Sequence, residues 1–142
     1  MLVSEILRIK GNALYTIAPD APVLDAVKAM AQLDIGSLVV MDKGRMAGLL
    51  TFAEVLVALA DRGGALGDAR VSSVFDANPL TAEPSLDVME LRRNMLERHA
   101  RYVPVMDGTM LLGVVSFHDV ARAVYEEQDY ENSRLKEYIA AA

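Results

Sequence analysis

The sequence predicts an α/β (α+β) fold made of two tandem strand–helix–strand–strand–helix repeats packed about a pseudo-twofold axis. Three observations predict it: the chain matches itself at a shift of 65 residues, each copy has apolar residues at helical spacing, and each copy has two short apolar runs joined by turn residues. One such unit cannot cover both faces of its small sheet. We therefore expect the copies to pack face to face, with a crevice between equivalent loops.

The self-match is ungapped over its whole length. Residues 16–55 align with 81–120 at ten identities in forty positions, and the identities include Gly, Pro and Phe. Composition alone does not produce such matches in one register. Related segments, 3–7 and 71–75, precede the two copies at a spacing of 68, which places a three-residue insertion in the first copy near Gly11-Asn12.

Composition and charge exclude several classes of protein. Of the 142 residues, 53% are apolar, which is incompatible with intrinsic disorder. With 14 Lys and Arg against 20 Asp and Glu, the net charge of −6 disfavours a broad electrostatic contact with nucleic acid. The chain has no cysteine, so disulfides, thiolate metal sites and a cysteine nucleophile are excluded.

No membrane segment is predicted. The start of the chain, 1–8, lacks the apolar region of a signal peptide, and the most apolar runs are far shorter than the roughly 20 residues that a spanning helix needs. We therefore expect a cytoplasmic protein.

The first helix of each copy follows a short strand near Thr16 or Thr81. Asp20 and Ser85 occupy equivalent positions and are favourable N-cap residues, so they predict where these helices begin. Apolar residues then recur at helical spacing: Val23, Val27, Met30 and Leu33 in the first copy, and Val88, Leu91 and Met95 in the second.

A β-hairpin and a second helix complete each copy, because turn residues separate two apolar runs and a longer apolar segment follows. The predicted hairpin strands are 37–41 and 46–50 in the first copy, and 102–106 and 110–115 in the second. The second helices are predicted to begin at Ala53 and His118, and the glycine-rich segment 63–67 is the linker.

These elements predict three parts along the chain: a first repeat at 1–66, a second repeat at 67–127 and a tail at 128–142. Within the tail, Asn132 or Ser133 could cap a helix whose apolar face carries Leu135, Tyr138 and Ile139. Such a helix would either dock on a dimer or fray.

Two glycine-led motifs end the hairpins, Gly48-Leu-Leu-Thr-Phe-Ala-Glu54 and Gly113-Val-Val-Ser-Phe-His-Asp119. With the repeat length, the element order and the strand entry Arg101-Tyr-Val-Pro-Val105, they resemble a tandem CBS-domain pair (the cystathionine-β-synthase domain, or Bateman module) in a stand-alone protein. The family pattern has Ser or Thr followed three residues later by Asp. Glu54 departs from that pattern.

The motif allows two interpretations from its residues alone. The Thr51 or Ser116 hydroxyl sits at a helix N-terminus, which favours phosphate, and a carboxylate one turn later can accept both hydroxyls of a ribose. The same spacing is also a capping box, which stabilises a helix start by roughly 1 kcal/mol and implies no ligand. We interpret Asp119 as a ligand-binding residue and Glu54 as a cap.

The resemblance implies two ligand pockets, each built from both repeats. The Asp119 pocket would use Val114, Ser116 and His118, with Tyr15, Thr16, Ile35 and Gly36 opposite. The Glu54 pocket would use Thr51 and Ala53, with Leu80, Thr81, Arg101 and Tyr102 opposite.

Basic residues near the second hairpin offer further candidates. Arg suits bidentate phosphate contacts, but a basic residue at a helix end also opposes the helix dipole. We interpret Arg98 and His99 as surface residues. For Arg101 and His118, a phosphate contact and an ordinary surface role stay open.

The resulting prediction is a regulatory sensor that binds an adenine nucleotide (AMP, ADP or ATP) or a related adenosyl ligand and changes shape. The alternative is a ligand-free adaptor dimer that binds a protein partner. No nucleophile–base pair or metal-ligand spacing indicates an enzyme, a catalytic cofactor or a metal site. Because 53–60 is apolar nearly all round, we also expect a homodimer through this helix.

Overall fold

The computed structural model describes residues 1–11 and 13–141. The insertion predicted near Gly11-Asn12 falls partly on Asn12, which lies outside the described residues. The elements, in chain order, are α1 (Val3–Lys10), β1 (Thr16–Ile17), α2 (Val23–Leu33), β2 (Ser37–Asp42), β3 (Arg45–Thr51), α3 (Phe52–Asp61), a 3-10 turn (Val71–Ser73), α4 (Val88–Arg98), β4 (Tyr102–Asp107), β5 (Met110–Ser116) and α5 (Phe117–Ala141). The predicted fold class and both hairpins are confirmed.

The two repeats build unequal sheets. The first sheet has the order β1-β2-β3, with β1 parallel to β2 and β2 antiparallel to β3, whereas the second has only the antiparallel pair β4-β5 among the described residues. The strand predicted near Thr81 is reduced to a single parallel bridge between Ala82 and Val105. In the first repeat the Val39 N–H donates to a loop carbonyl, but its equivalent is Pro104, which has no N–H to donate.

The first helices begin later than the cap prediction indicates. Asp20 and Ser85 are wrong as N-caps, because α2 begins at Val23 and α4 at Val88. Of these two helices, α4 alone has a side-chain cap, since the Asp87 carboxylate accepts a hydrogen bond from a first-turn N–H.

Asp20 and Ser85 lie instead in equivalent turns. Each turn is closed by a backbone hydrogen bond, across Ala18–Ala21 in the first repeat and Glu83–Leu86 in the second. Both have proline at their second position, where its fixed φ favours a turn. The matched prolines therefore specify a turn before each helix.

Each short segment that precedes a repeat packs against the other repeat, so the two segments are exchanged. Val3 in α1 donates its N–H to the carbonyl of Leu86 in the second repeat, at 2.9 Å. Reciprocally, the Val71 N–H donates to the carbonyl of Ala21 in the first repeat, also at 2.9 Å. Each segment thus completes the core of the opposite repeat, and the exchange carries the end of α1 to β5 and α5.

Two aliphatic cores result from this exchange. The predicted stripe of α4 is fully buried, whereas that of α2 ends early, since Leu33 is 45% exposed. The second core consists of Val3, Ile6, Ala82, Val88, Leu91, Met95, Val103, Val105, Val115, Val120 and Ala123. The first consists of Val23, Ala26, Leu38, Val40, Leu50, Val55, Ala69 and Val71.

The tail continues α5 without a break. The cap predicted at Asn132 or Ser133 is wrong, because one helix of 25 residues runs from Phe117 to Ala141. This segment contains no glycine or proline to end a helix, and Arg122 pairs with Glu126 one turn along it, at 3.1 Å. None of the helices within the described residues is long and apolar enough to cross a membrane.

Candidate functional site

Two clefts lie where the repeats meet, and residues of both repeats line each one. The larger, of about 690 Å³, lies beside the start of α5, and the smaller, of about 180 Å³, beside the start of α3. The larger is lined by Lys10, Ala13, Leu14, Tyr15, Asp34, Ile35, Gly36, Ser37, Arg101, Tyr102, Val114, Ser116, Phe117 and His118. The smaller is lined by Leu49, Thr51, Phe52, Ala53, Glu54, Asp76, Pro79, Leu80, Arg98, His99, Ala100, Arg101 and Tyr102.

Arg101 and Tyr102 form a wall shared by the two clefts. The Tyr102 ring meets Phe52 edge-on, with 6.2 Å between centroids, and the Arg101 guanidinium lies 5.3 Å from the centroid of the same Phe52 ring. A Cβ atom at Gly36 would overlap the Tyr102 hydroxyl, so a larger residue there would displace the Tyr102 side chain. Arg101 and Tyr102, which the resemblance assigned to the Glu54 pocket, therefore border both clefts.

The structure brings most of the residues predicted for the Asp119 pocket together. The following line the larger cleft: Tyr15, Ile35, Gly36, Val114, Ser116 and His118. Thr16 does not line it, and Asp119 lies next to the lining, where Lys10 contacts its carboxylate.

The smaller cleft gathers the residues predicted around Glu54. These are Thr51, Ala53, Glu54, Leu80, Arg101 and Tyr102. Thr81 is exposed and does not line the cleft. Arg98 and His99 are exposed on its rim, at the end of α4.

Both oxygens of the Glu54 carboxylate take part in a helix cap. Its Oε1 accepts a hydrogen bond from the Thr51 backbone N–H at 2.9 Å, and its Oε2 accepts one from the Thr51 hydroxyl at 2.9 Å. The hydroxyl oxygen in turn accepts from the Ala53 N–H at 3.2 Å. Both carboxylate oxygens of Glu54 therefore have a donor inside its own turn.

Asp119 forms a similar cap with one oxygen only. Its Oδ2 accepts from the Ser116 backbone N–H at 2.9 Å, while its own N–H donates to the Ser116 hydroxyl at 3.0 Å. Oδ1 has no donor among the described residues, and the side chain is 21% exposed. A carboxylate oxygen is thus left for another donor at the edge of the larger cleft.

Lys10 is a site residue that the sequence analysis missed. Its Nζ donates to Asp119 Oδ2 at 2.7 Å and to the backbone carbonyl of Val114 at 2.9 Å. The two charges are 109 positions apart, and only the exchange of α1 onto the second repeat brings them together. The one sequence signal was a basic residue at the end of the segment that precedes the first repeat.

The Lys10 contact sets the charge state of Asp119. Burial would raise the pKa of this carboxyl, but the hydrogen bonds from Lys10 and Ser116, together with the positive charge of Lys10, outweigh burial. The pKa of Asp119 is therefore lowered from its ordinary value of 3.8, and the side chain is ionised at neutral pH.

We expect Asp119 to stabilise the fold at neutral pH and to lose that contribution in acid. Because its pKa is lower in the folded chain than in the unfolded chain, the contribution is complete above about pH 5 and disappears as the pH falls through the folded-state value. In urea denaturation between about pH 7 and pH 3, the free energy of unfolding should fall more steeply for the native chain than for Asp119→Asn. Parallel profiles would contradict this assignment.

Metal ligands are not grouped in the part of the chain that the structure describes. No cluster of three or more His, Asp or Glu side chains is placed there to hold an ion.

Known proteins share the two-repeat organisation of this chain. The family model for the CBS domain matches residues 3–61 and 71–126. The CBS domain-containing protein CBSX3, mitochondrial, from Arabidopsis thaliana is 31% identical over 146 residues, which covers 96% of this chain and 71% of that protein.

Solved structures share the same architecture. A protein with CBS domains from Burkholderia ambifaria MC40-6 superposes with a TM-score of 0.84 at 30% identity, covering 90% of this chain and 96% of that one. The CBS domain pair of the protein MJ0100, in complex with 5′-methylthioadenosine and S-adenosyl-L-methionine, superposes with a TM-score of 0.78 at 22% identity, covering 89% and 98%. With two matched repeats that exchange their leading segments and enclose paired clefts, this chain belongs to the CBS domain family.

Proposed function

We propose that this chain is a regulatory module that binds an adenine nucleotide or a related adenosyl ligand in the larger cleft and changes conformation when it does so. One observation carries the proposal: at the start of α5, the ionised Asp119 has an oxygen without a donor among the described residues, beside a cleft of about 690 Å³ that both repeats line. A ligand held there contacts both repeats at once, so its binding favours one relative placement of them.

The chemistry of the lining suits each part of a nucleotide. Apolar residues such as Ile35 and Val114 can contact the two faces of a base. The unused oxygen of Asp119 can accept a hydrogen bond from a ribose hydroxyl. At the start of α5, the N–H groups of Ser116, Phe117 and Asp119 already have acceptors. The His118 backbone N–H has none among the described residues, so this group and the His118 side chain are the donors left there for a phosphate.

The adenosyl class has independent support from a structural relative. The CBS domain pair of MJ0100 was solved in complex with 5′-methylthioadenosine and S-adenosyl-L-methionine, both adenosyl compounds. Because sequence identity with that pair is 22%, the ligand preference of this chain is inferred from its own residues.

A titration of the native chain tests the proposal. Calorimetry with AMP, ADP, ATP, NAD, S-adenosylmethionine and cyclic dinucleotides should show binding of at least one adenosine-containing ligand at micromolar to submillimolar concentration. If none of them binds, the adaptor interpretation replaces this one.

A second copy of this chain is the partner that we propose for the exposed face of α3. Val55 and Ala58 on α3 are buried in the core, while Leu56 and Val57 are 59% and 60% exposed. A soluble helix does not usually carry apolar residues on both of its sides. Burying this second face against the same face of another copy would remove it from water.

Introducing charge on this face should dissociate the dimer. Sedimentation of the native chain should give twice the mass of 15.4 kDa, whereas the double variant Leu56→Glu and Val57→Glu should sediment as a monomer at the same micromolar concentration. Met110→Glu, at a 63% exposed position on the second hairpin, is the matched control and should stay dimeric. A native mass near 15.4 kDa would refute the homodimer.

The regulated protein and the cellular compartment stay predictions. The relative CBSX3 is named as a mitochondrial protein, and we retain the cytoplasmic expectation for this chain as a proposal.

A further inference from the structure

One N–H donor of the Lys10 ammonium group forms no hydrogen bond within the part of the chain that the structure describes. A lysine ammonium group has three N–H donors, and two of them are directed to Asp119 Oδ2 and to the Val114 carbonyl. The third has no acceptor among the described residues, and Lys10 lines the larger cleft. The cleft therefore presents a charged donor to whatever occupies it.

The backbone of Lys10 is held by the packing of α1, and its ammonium group is held by the two hydrogen bonds. Val3 and Ile6 of α1 are buried in the second core, and Leu7 packs so closely on β5 that a Cβ atom at Gly113 would touch it. Lys10 ends this anchored helix, and its side chain is only 35% exposed. Because these two hydrogen bonds already restrict the side chain, a ligand has less conformational freedom to remove here than at an unpaired surface lysine.

The other charges around the cleft leave a specific role to Lys10. Arg101 also lines the cleft, but its guanidinium lies over Phe52 in the wall toward the smaller cleft. Among the described residues, Asp34 contributes the one carboxylate of the lining, and Lys10 offsets the charge of Asp119 beside it. With Lys10 present, the positive charges of Lys10 and Arg101 balance the negative charges of Asp34 and Asp119, and without Lys10 the carboxylates would be in excess and would disfavour an anionic ligand.

We propose that Lys10 determines the specificity of the larger cleft by acting as the counter-ion for an anionic group of the ligand, so that a phosphorylated nucleoside is preferred over the same nucleoside without phosphate. This inference rests on the proposed nucleotide-binding function. Asp119 keeps one oxygen for the sugar, while Lys10 uses the other oxygen as an anchor and donates its third N–H to the phosphate.

Two other roles for Lys10 predict different behaviour. If Lys10 only competed with the ligand for Asp119, its removal would strengthen the binding of charged and uncharged nucleosides alike. If it only held α1 in place, its removal would weaken both to the same extent. The ratio of the two affinities therefore separates these roles from counter-ion selection.

The test is calorimetric titration with AMP and with adenosine, on the native chain and on Lys10→Met. We expect Lys10→Met to bind AMP about tenfold more weakly, the effect of losing one charged hydrogen bond, and to bind adenosine within about threefold of the native value. Lys10→Arg should recover most of the AMP affinity. Lys28→Met, an exposed position on α2, is the matched control and should bind both ligands as the native chain does.

The possible results separate the role of Lys10 from the proposed nucleotide-binding function on which it rests. An unchanged ratio of AMP to adenosine affinity in Lys10→Met would overturn the role of Lys10 while leaving nucleotide binding intact. Failure of the native chain to bind either ligand would overturn the proposed function and this inference with it. Should Lys10→Met fold poorly, as judged by its melting temperature, Lys10→Gln provides the same measurement with a polar side chain of similar reach.

Discussion

Asp119→Asn is expected to weaken nucleotide binding by roughly ten- to hundredfold, whereas Glu54→Gln should change it by less than about threefold. A hydrogen bond to a charged group contributes about 1.5–3 kcal/mol, and the neutral amide of the asparagine variant would accept a ribose hydroxyl more weakly. The fold should persist, because the amide oxygen of asparagine can still accept the Ser116 N–H that Asp119 accepts now.

The difference between the two positions comes from how their oxygens are used. Both oxygens of Glu54 accept hydrogen bonds from Thr51, while Oδ1 of Asp119 has no donor among the described residues. The larger cleft also has His118 where the smaller one has Ala53. Arg101 borders both clefts, but its guanidinium lies over Phe52 on the side of the smaller one, where it could still contact a phosphate.

Calorimetric titration of both variants with the same nucleotide checks this prediction. Circular dichroism and melting temperature should be recorded for each variant, so that a loss of binding is not confused with a loss of structure. If Glu54→Gln abolished binding and Asp119→Asn did not, the smaller cleft would be the principal site.

Gly48→Ala should destabilise the protein by about 3 kcal/mol, near the upper end of what overpacking usually costs. A Cβ atom on Gly48 would overlap the backbone carbonyl oxygen of Asp76 and the ring of Phe75. Backbone at this position cannot move alone, because Leu49 and Asp76 exchange two hydrogen bonds of 2.9 Å. Relieving the overlap would therefore break this bridge.

Gly113→Ala, the equivalent change in the second repeat, should alter the free energy of unfolding by about 1 kcal/mol or less. The nearest atom to a new Cβ atom there is Leu7 Cδ2 at 2.9 Å, the end of a side chain that can rotate away. Neither glycine has a positive φ, so backbone strain does not contribute to the difference. Reduced freedom of the unfolded chain partly offsets the remaining cost.

Thermal and urea denaturation of the two variants measure this contrast. For a chain of this size, about 3 kcal/mol corresponds to a fall in Tm of roughly 6–12 °C. Equal losses at Gly48 and Gly113 would mean that the contact of β3 with Asp76 is not the constraint that we describe.

The sequence by itself determined the parts of this protein that depend on local chemistry. Apolar spacing along the chain predicted the helices and hairpins, and the internal match predicted their order, because repeated units with the same pattern fold in the same way. The spacing of Thr51 with Glu54 and of Ser116 with Asp119 indicated capping boxes, and the hydrogen bonds are present at both helix starts.

Some local predictions were wrong because neighbouring residues favoured a different backbone structure. Asp20 and Ser85 are good caps in isolation, but the prolines before them place both in turns. Pro104 has no backbone N–H, so it lacks the donor that a full strand near Thr81 would need. In the tail, no new helix begins at Asn132 or Ser133, because no residue before them ends α5.

Only the tertiary structure decided which distant groups meet. Lys10 reaches Asp119 because α1 buries its apolar face in the opposite repeat, and no periodicity along the chain specifies across which core an amphipathic segment is buried. The same exchange fills the space beside Gly113 with a flexible leucine and the space beside Gly48 with rigid backbone. Two motifs that are equivalent in sequence thereby acquire different charge, packing and bonding capacity, since these properties depend on the neighbours that the fold supplies.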